Sequence, residues 1–135
     1  MNPTFSAFIS KALRFVLLLV FTLLLLAGAW LWLTLHFSYS EGERSGYLQK
    51  LSKKGWFCKT WEGELAMVTM PGAIPEKFKF SVREDATAEK INRLAGRRVV
   101  LIYQQHRFVP TTCFGETEYF VYDIHEVDDP LIMRQ

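Results

Sequence analysis

The stretch KFKFSVREDATAEKINRLAGRRVVLIYQQ, residues 77–105, reads as strand, helix and strand in one short run. Phe78, Phe80 and Val82 alternate with Lys77, Lys79, Ser81 and Arg83, the period-two pattern of a strand with one face in a core and one in water. Asp85 stands where a helix cap would, before a helix expected over 86–95. Ala88, Ile91, Leu94 and Ala95 recur there at helical spacing, and Gly96 holds the stop position. Arg97 and Arg98 lead into residues 99–105, where both parities are apolar, so this strand is expected to be covered on both faces.

Upstream, a strand over 46–53 passes through Lys54-Gly55 into a second one. There Phe57, Trp61, Leu65 and Met67 share one parity, and Thr60, Glu62 and Glu64 share the other. Gly63 interrupts that strand and marks a bulge, a sharp bend or a tight hairpin at Glu62-Gly63. Pro71-Gly72 and Pro75 punctuate a turn. Downstream, residues 110–115 read as a loop, residues 118–127 as a strand rich in Tyr, Phe, Val and Ile, and residues 128–135 as an exposed tail. The order is three strands, one helix, two strands. This predicts a small mainly-β domain over 46–127: a five-stranded OB-like Greek-key barrel with one short helix between strands 3 and 4, with a generic α+β sandwich as the alternative.

Ahead of this domain lies FVLLLVFTLLLLAGAWLWLTL, residues 15–35, which carries no charge and is interrupted by polar groups only at Thr22 and Thr34. As a helix it would span roughly 31 Å, close to the hydrocarbon thickness of a bilayer. Trp30, Trp32, Phe37 and Tyr39 cluster at its end, where aromatic rings favour the headgroup boundary. The predicted organisation is a cytoplasmic flank over 1–14, a transmembrane helix over 15–36 and a polar linker over 37–45 leading to the barrel. A cleaved signal peptide is the rival, since Ala27-Gly28-Ala29 resembles a cleavage site, but the apolar run continues past it.

Of the 16 basic residues, Lys11 and Arg14 precede this run, which leaves fourteen against 14 acidic residues downstream. The flank charge favours a cytoplasmic N-terminus and an extracytoplasmic, periplasmic domain on an inner-membrane protein. A neutral domain argues against nucleic acid as partner, and 135 residues exclude a multidomain enzyme. Cys58 and Cys113 form no C-x-x-C pair, and an even count in an exported domain fits one disulfide, with two unrelated buried thiols as the alternative.

RSGYLQKLSKKGWFCKTWEGEL at 44–65 and FGETEYF at 114–120 resemble a family of small uncharacterised bacterial single-pass membrane proteins. The resemblance implies one apolar anchor and one small domain, and it brings no established mechanism. Members are sometimes labelled 6-phosphogluconate dehydrogenase. Dinucleotide binding needs a G-x-G-x-x-G turn, and the eight glycines, at 28, 42, 46, 55, 63, 72, 96 and 115, contain no G-x-G. The sequence is incompatible with that label.

Glu62 with Glu64 and Glu116 with Glu118 are carboxylate pairs at strand spacing, each expected to project from one face. They could hold a cation, share a proton, or pair with lysines across the sheet. His36, His106 and His125 lack neighbours at metal-ligand spacing. Lys50, Lys53, Lys54 and Lys59 surround Trp56 and Trp61, a basic and aromatic patch of the kind that binds single strands by stacking or touches anionic headgroups. The resulting expectation is a membrane-anchored, non-catalytic binding or accessory module in a membrane protein assembly, without cofactor, metal or catalytic residue. The alternative is a cytoplasmic-facing OB-type domain that binds single-stranded nucleic acid or anionic lipid.

Overall fold

The computed structural model of the chain describes residues 3–67 and 72–127, with side chains from Ser10 onward. Pro71 of the expected turn and the tail at 128–135 lie outside the described residues. The chain divides after His36 into two compact units. The first is one helix, α1 (Pro3–His36), and its segment Ser10–His36 is long and apolar enough to cross a membrane. The hydroxyls of Thr22 and Thr34 turn onto the helix itself. Thr22 Oγ1 donates to the Leu18 carbonyl at 2.8 Å and Thr34 Oγ1 to that of Leu31 at 3.0 Å, so neither needs a partner from outside.

The second unit contains β1 (Ser40–Lys54), β2 (Thr60–Met67), β3 (Lys77–Val82), α2 (Asp85–Arg93), β4 (Arg98–Gln105) and β5 (Tyr119–Glu126). The strands close in the order β1-β2-β3-β5-β4. β1 serves two partners, pairing with β4 from Ser40 to Tyr47 and with β2 from Gly46 to Lys54. The change of partner occurs at Gly46, where a side chain would run into the Ala66 carbonyl. Closure rests on a single parallel pair, Ser81 with Phe120. Phe80, Leu48, Leu65, Leu101 and Ile124 fill the interior. At the end of the barrel where β3 starts, the Arg44 guanidinium lies 4.6 Å from the Phe78 ring centre, beside Tyr103 and Tyr119.

Several expectations change. Residues 40–45, read as linker, are strand. Their inward positions are Ser40, Gly42 and Arg44, so an apolar alternation is missing although the burial alternates. The bulge falls on β1 between Leu48 and Lys50, not at Gly63. Gly63 instead leaves room for the Phe80 ring, which a side chain there would strike. There is no hairpin at Glu62-Gly63, since β2 runs unbroken through both. Phe57, grouped with the inward parity of β2, precedes that strand and is fully exposed.

Asp85 opens α2 instead of capping it. The cap residue is Glu84, without a side-chain cap bond. Thr87, Ala88 and Ile91 face the core. Gly96, at φ 78°, ends the turn with its N–H donating to the Leu48 carbonyl at 2.9 Å. β4 is not covered on both faces: Val99 and Leu101 are buried, but Val100 and Ile102 are only half-buried. α2 packs on β5, β1 and β3.

Candidate functional site

Cross-strand pairing fixes the two faces of β2 and β3. Trp61, Gly63 and Leu65 stand opposite Val82, Phe80 and Phe78, whose side chains lie in the core. Glu62 and Glu64, opposite Ser81 and Lys79, therefore share the outer face. That face is not simply wet, because Glu62 is 6% exposed and Ser81 is 0% exposed. The cover is the β4–β5 loop, residues 106–118. Gly115 is buried against Ser81 and Phe120, and a side chain at that position would collide with both.

A polar network holds this cover down. Glu62 Oε1 accepts from Thr60 Oγ1 at 2.8 Å and from the Glu116 backbone N–H at 3.0 Å, while Oε2 accepts from Ser81 Oγ at 2.7 Å. The Thr117 N–H donates to Ser81 Oγ at 3.1 Å. Hydrogen bonds thus join the loop to β2 and β3 at the seam where the β3–β5 ladder has only one pair. A carboxylate can be buried at tolerable cost when charge-assisted donors converge on it. Among the four acidic candidates, Glu62, Glu64 and Glu116 come together around a cavity of about 50 Å³ with Lys50, Lys54 and Lys79 on its rim. Glu118 does not join them. It accepts from Gln105 Nε2 at 3.1 Å. Lys54 lies 3.9 Å from Glu116 and Lys77 lies 3.9 Å from Glu64, so one member of each pair meets a lysine, Glu64 across the sheet and Glu116 from the loop.

The basic and aromatic candidates divide into three places. Lys50 and Lys54 belong to the seam just described. Lys53, Lys59 and Trp61 line an open groove of about 310 Å³, together with Arg83, Asp85 and Phe114. Trp61 is half-buried against the core, its Nε1–H donates to Asp85 Oδ1 at 2.6 Å, and Lys53 Nζ lies 5.2 Å from its ring centre. The Asp85 carboxyl titrates below the ordinary range, first because of the Trp61 hydrogen bond and then because of Lys53. The Arg83 guanidinium rests 4.1 Å over Phe120, and burial lowers its pKa. Trp56 is in neither place. With Phe57 it forms the tip of the β1–β2 loop, 99% and 102% exposed.

Cys58 and Cys113 are joined as a disulfide with Cα atoms 4.9 Å apart, so the β1–β2 loop is covalently tied to the β4–β5 loop. Sequence reasoning placed the bond but missed what it connects. It also missed Thr60, Ser81 and Thr117, whose hydroxyls carry no signal except a place opposite or near a carboxylate. The two Glu62 oxygens are occupied by three donors, and among the described residues no group of three or more His, Cys, Asp or Glu is arranged to hold a metal.

A barrel of this topology, with strands 1 to 3, a helix and strands 4 and 5, is the OB type. The chain belongs to the family described as Domain of unknown function (DUF8785), whose model matches residues 37–130. No curated protein matches it. Among solved structures it is similar to the mitochondrial single-stranded DNA binding protein Rim1 of S. cerevisiae, with a TM-score of 0.51 and 8% identity over 69% of this chain and 98% of that one. At that identity the likeness concerns the fold alone.

Proposed function

We propose that the protein is a membrane-anchored, non-catalytic binding or accessory module, working within a membrane protein assembly from the inner membrane. In this reading the N-terminus is cytoplasmic and the barrel is extracytoplasmic. The observation that carries it is the Cys58–Cys113 bond, which pins together the two loops that flank the groove and displays the Trp56–Phe57 tip. Disulfides persist in oxidising compartments and are rare in the cytosol, which favours an exported barrel. The apolar helix supplies the anchor, and a cation-rich groove with aromatic walls supplies a recognition surface. A reporter fused after Gln135 tests the topology: activity only outside the cytoplasm is expected, and activity only inside would overturn it. Crosslinking of the full chain in its native membrane, followed by mass spectrometry, is expected to give one reproducible membrane protein partner. Recovery of the monomer alone would remove the assembly.

The likeness in fold to a single-stranded DNA binding protein favours a second reading, in which the groove stacks bases between Trp61 and Phe114. It needs a cytoplasmic barrel. It also meets an obstacle in the outer face of strands 2 and 3, which OB folds use for oligonucleotides and which here lies beneath residues 115–117. Salt-dependent retention of labelled single-stranded DNA by the full chain in detergent, lost on Lys53→Gln with Lys59→Gln, would establish this second reading in place of the first.

A further inference from the structure

Four of the exposed aromatics of the barrel, Tyr39, Phe108, Trp56 and Phe57, fall in two groups. Tyr39 and Phe108 are 67% and 70% exposed, and the Arg107 guanidinium sits between their rings at 4.8 Å and 5.7 Å. Tyr39 precedes β1 and its N–H donates to the Gln105 carbonyl at 2.8 Å, so this cluster stands where β1 starts and β4 ends. Phe108 has a positive φ of 62°, unusual for a bulky residue, and its ring points outward. Five residues further, Cys113 bonds to Cys58, next to Phe57 and Trp56. The β4–β5 loop and the disulfide thus link this cluster, beside the start of β1, to the tip, beyond the end of β1, as one covalently connected rim.

The rim is also of one sign. Residues 53–61 and 106–115 contain Lys53, Lys54, Lys59 and Arg107 and no acidic residue. Lys53 pairs with Asp85 and Lys54 with Glu116, but all four side chains are at least two-fifths exposed and such pairs are weak competitors. Lys59 has no ion pair among the described residues. The tip is a protrusion rather than a cleft. Protruding Trp and Phe surrounded by lysines suit a flat surface that offers an apolar layer beneath anionic groups.

We propose that this rim docks onto an anionic bilayer surface, with Trp56 and Phe57 entering at headgroup depth and Lys53, Lys54, Lys59 and Arg107 meeting lipid phosphates. The inference rests on the anchored reading above, since a bilayer-spanning α1 would hold the rim at high effective concentration beside the membrane. The disulfide holds the tip in its exposed form before contact, which lowers the ordering cost of docking. Basic residues are attracted to an anionic leaflet, and aromatic rings favour the interface.

The test uses the full chain in proteoliposomes, with the photo-crosslinking residue p-benzoylphenylalanine in place of Phe57 or, as control, of Ile74, which is 92% exposed in the β2–β3 connection. In vesicles of phosphatidylcholine with phosphatidylglycerol, lipid-adduct yield at position 57 is expected to exceed that at position 74 several-fold. It should fall several-fold in phosphatidylcholine alone and in Lys53→Gln with Lys54→Gln and Lys59→Gln. Equal yields at 57 and 74, or adducts at 57 with polypeptide instead of lipid, would overturn the docking. Flotation after carbonate extraction separates the two readings. A chain that floats but gives no lipid adduct at 57 refutes the docking alone, whereas one that fails to float refutes the anchor and the docking together. Intact Cys58–Cys113, read by non-reducing mass spectrometry, certifies each variant as folded.

Discussion

β2 and β3 bury different things on their two sides. Inside, Leu65, Phe78, Phe80 and Val82 pack as apolar groups around a glycine that makes room for a ring. Outside, the same two strands bury Glu62, Thr60 and Ser81 beneath a loop, and there hydrogen bonds join the polar side chains to the cover. The inner face is held by area removed from water, which is not directional. The outer face has no such reserve, and a missing partner there leaves a buried polar group unpaired. The inner side therefore defines the barrel, and the outer side defines where the β4–β5 loop lies on it, and with it the groove and the tip.

The inner face breaks hardest. Phe80 is 0% exposed in the core cluster, and Phe80→Ala should cost roughly 3–5 kcal/mol, because its neighbours cannot collapse fully into the space. Urea unfolding of the full chain in detergent, followed by near-ultraviolet dichroism of the barrel, measures it. A cost under about 1 kcal/mol would mean the ring is not a core group. Next comes the bond that spans both loops. Its partners are 55 residues apart, and Cys58→Ser with Cys113→Ser should cost up to about 4 kcal/mol by the chain-entropy account. The same pair of substitutions should leave the core spectrum intact while exposing the β4–β5 loop amides to hydrogen exchange. If core and loop amides lose protection together, the two faces are one cooperative unit and the contrast between them fails.

Glu62 tests the outer face directly. Glu62→Ala strands the Thr60 hydroxyl and the Glu116 N–H and leaves the Ser81 hydroxyl only Thr117, and should cost about 2–3 kcal/mol, whereas Glu62→Gln keeps one acceptor oxygen and should cost about half as much. The sharper readout is local. Exchange protection of the Glu116 and Thr117 amides should fall more than that of Leu65 or Phe80. Equal loss at all four would place Glu62 in the general core.

The contrast also explains how far the sequence could be read. Phe78, Phe80 and Val82 reveal β3 because apolar alternation is a direct record of an inner face, and the strand–helix–strand order of residues 77–105 follows from it. Glu62 reads as solvated because alternation reports which way a side chain points and not what covers it. The cover comes from residues 115–117, more than fifty positions away, and only the fold brings them together. The first half of β1 was hidden for a related reason: Ser40, Gly42 and Arg44 point inward without being apolar. The cysteine pair was legible from its count. That Trp56 and Phe57 stand free at the tip was not, since Phe57 shares the parity of Trp61 and only the turn at Gly55, with φ 133°, takes it out of the strand.

The smallest expected effect lies at the groove, where both faces meet. Trp61 packs inward with its ring, and its Nε1–H reaches Asp85 on the surface at 2.6 Å. That bond is the leading reason the Asp85 carboxyl titrates low, with Lys53 second. A depressed acid contributes stability that is present above the unfolded value of about 3.9 and is lost as pH falls through the lower folded value. Trp61→Phe keeps an aromatic ring in the wall but removes the donor. The folded Asp85 titration should therefore move up toward the ordinary value, and its contribution should begin to vanish at a higher pH. Asp123 is depressed chiefly by its hydrogen bond from Lys90, and then by the Ile124 N–H. It is the internal reference, and its midpoint should not move. Carboxyl carbon NMR titration of both residues in one sample measures the pair. If Asp85 stays low in Trp61→Phe, Lys53 alone holds it, and the groove wall is built by charge and not by the tryptophan that links it to the core.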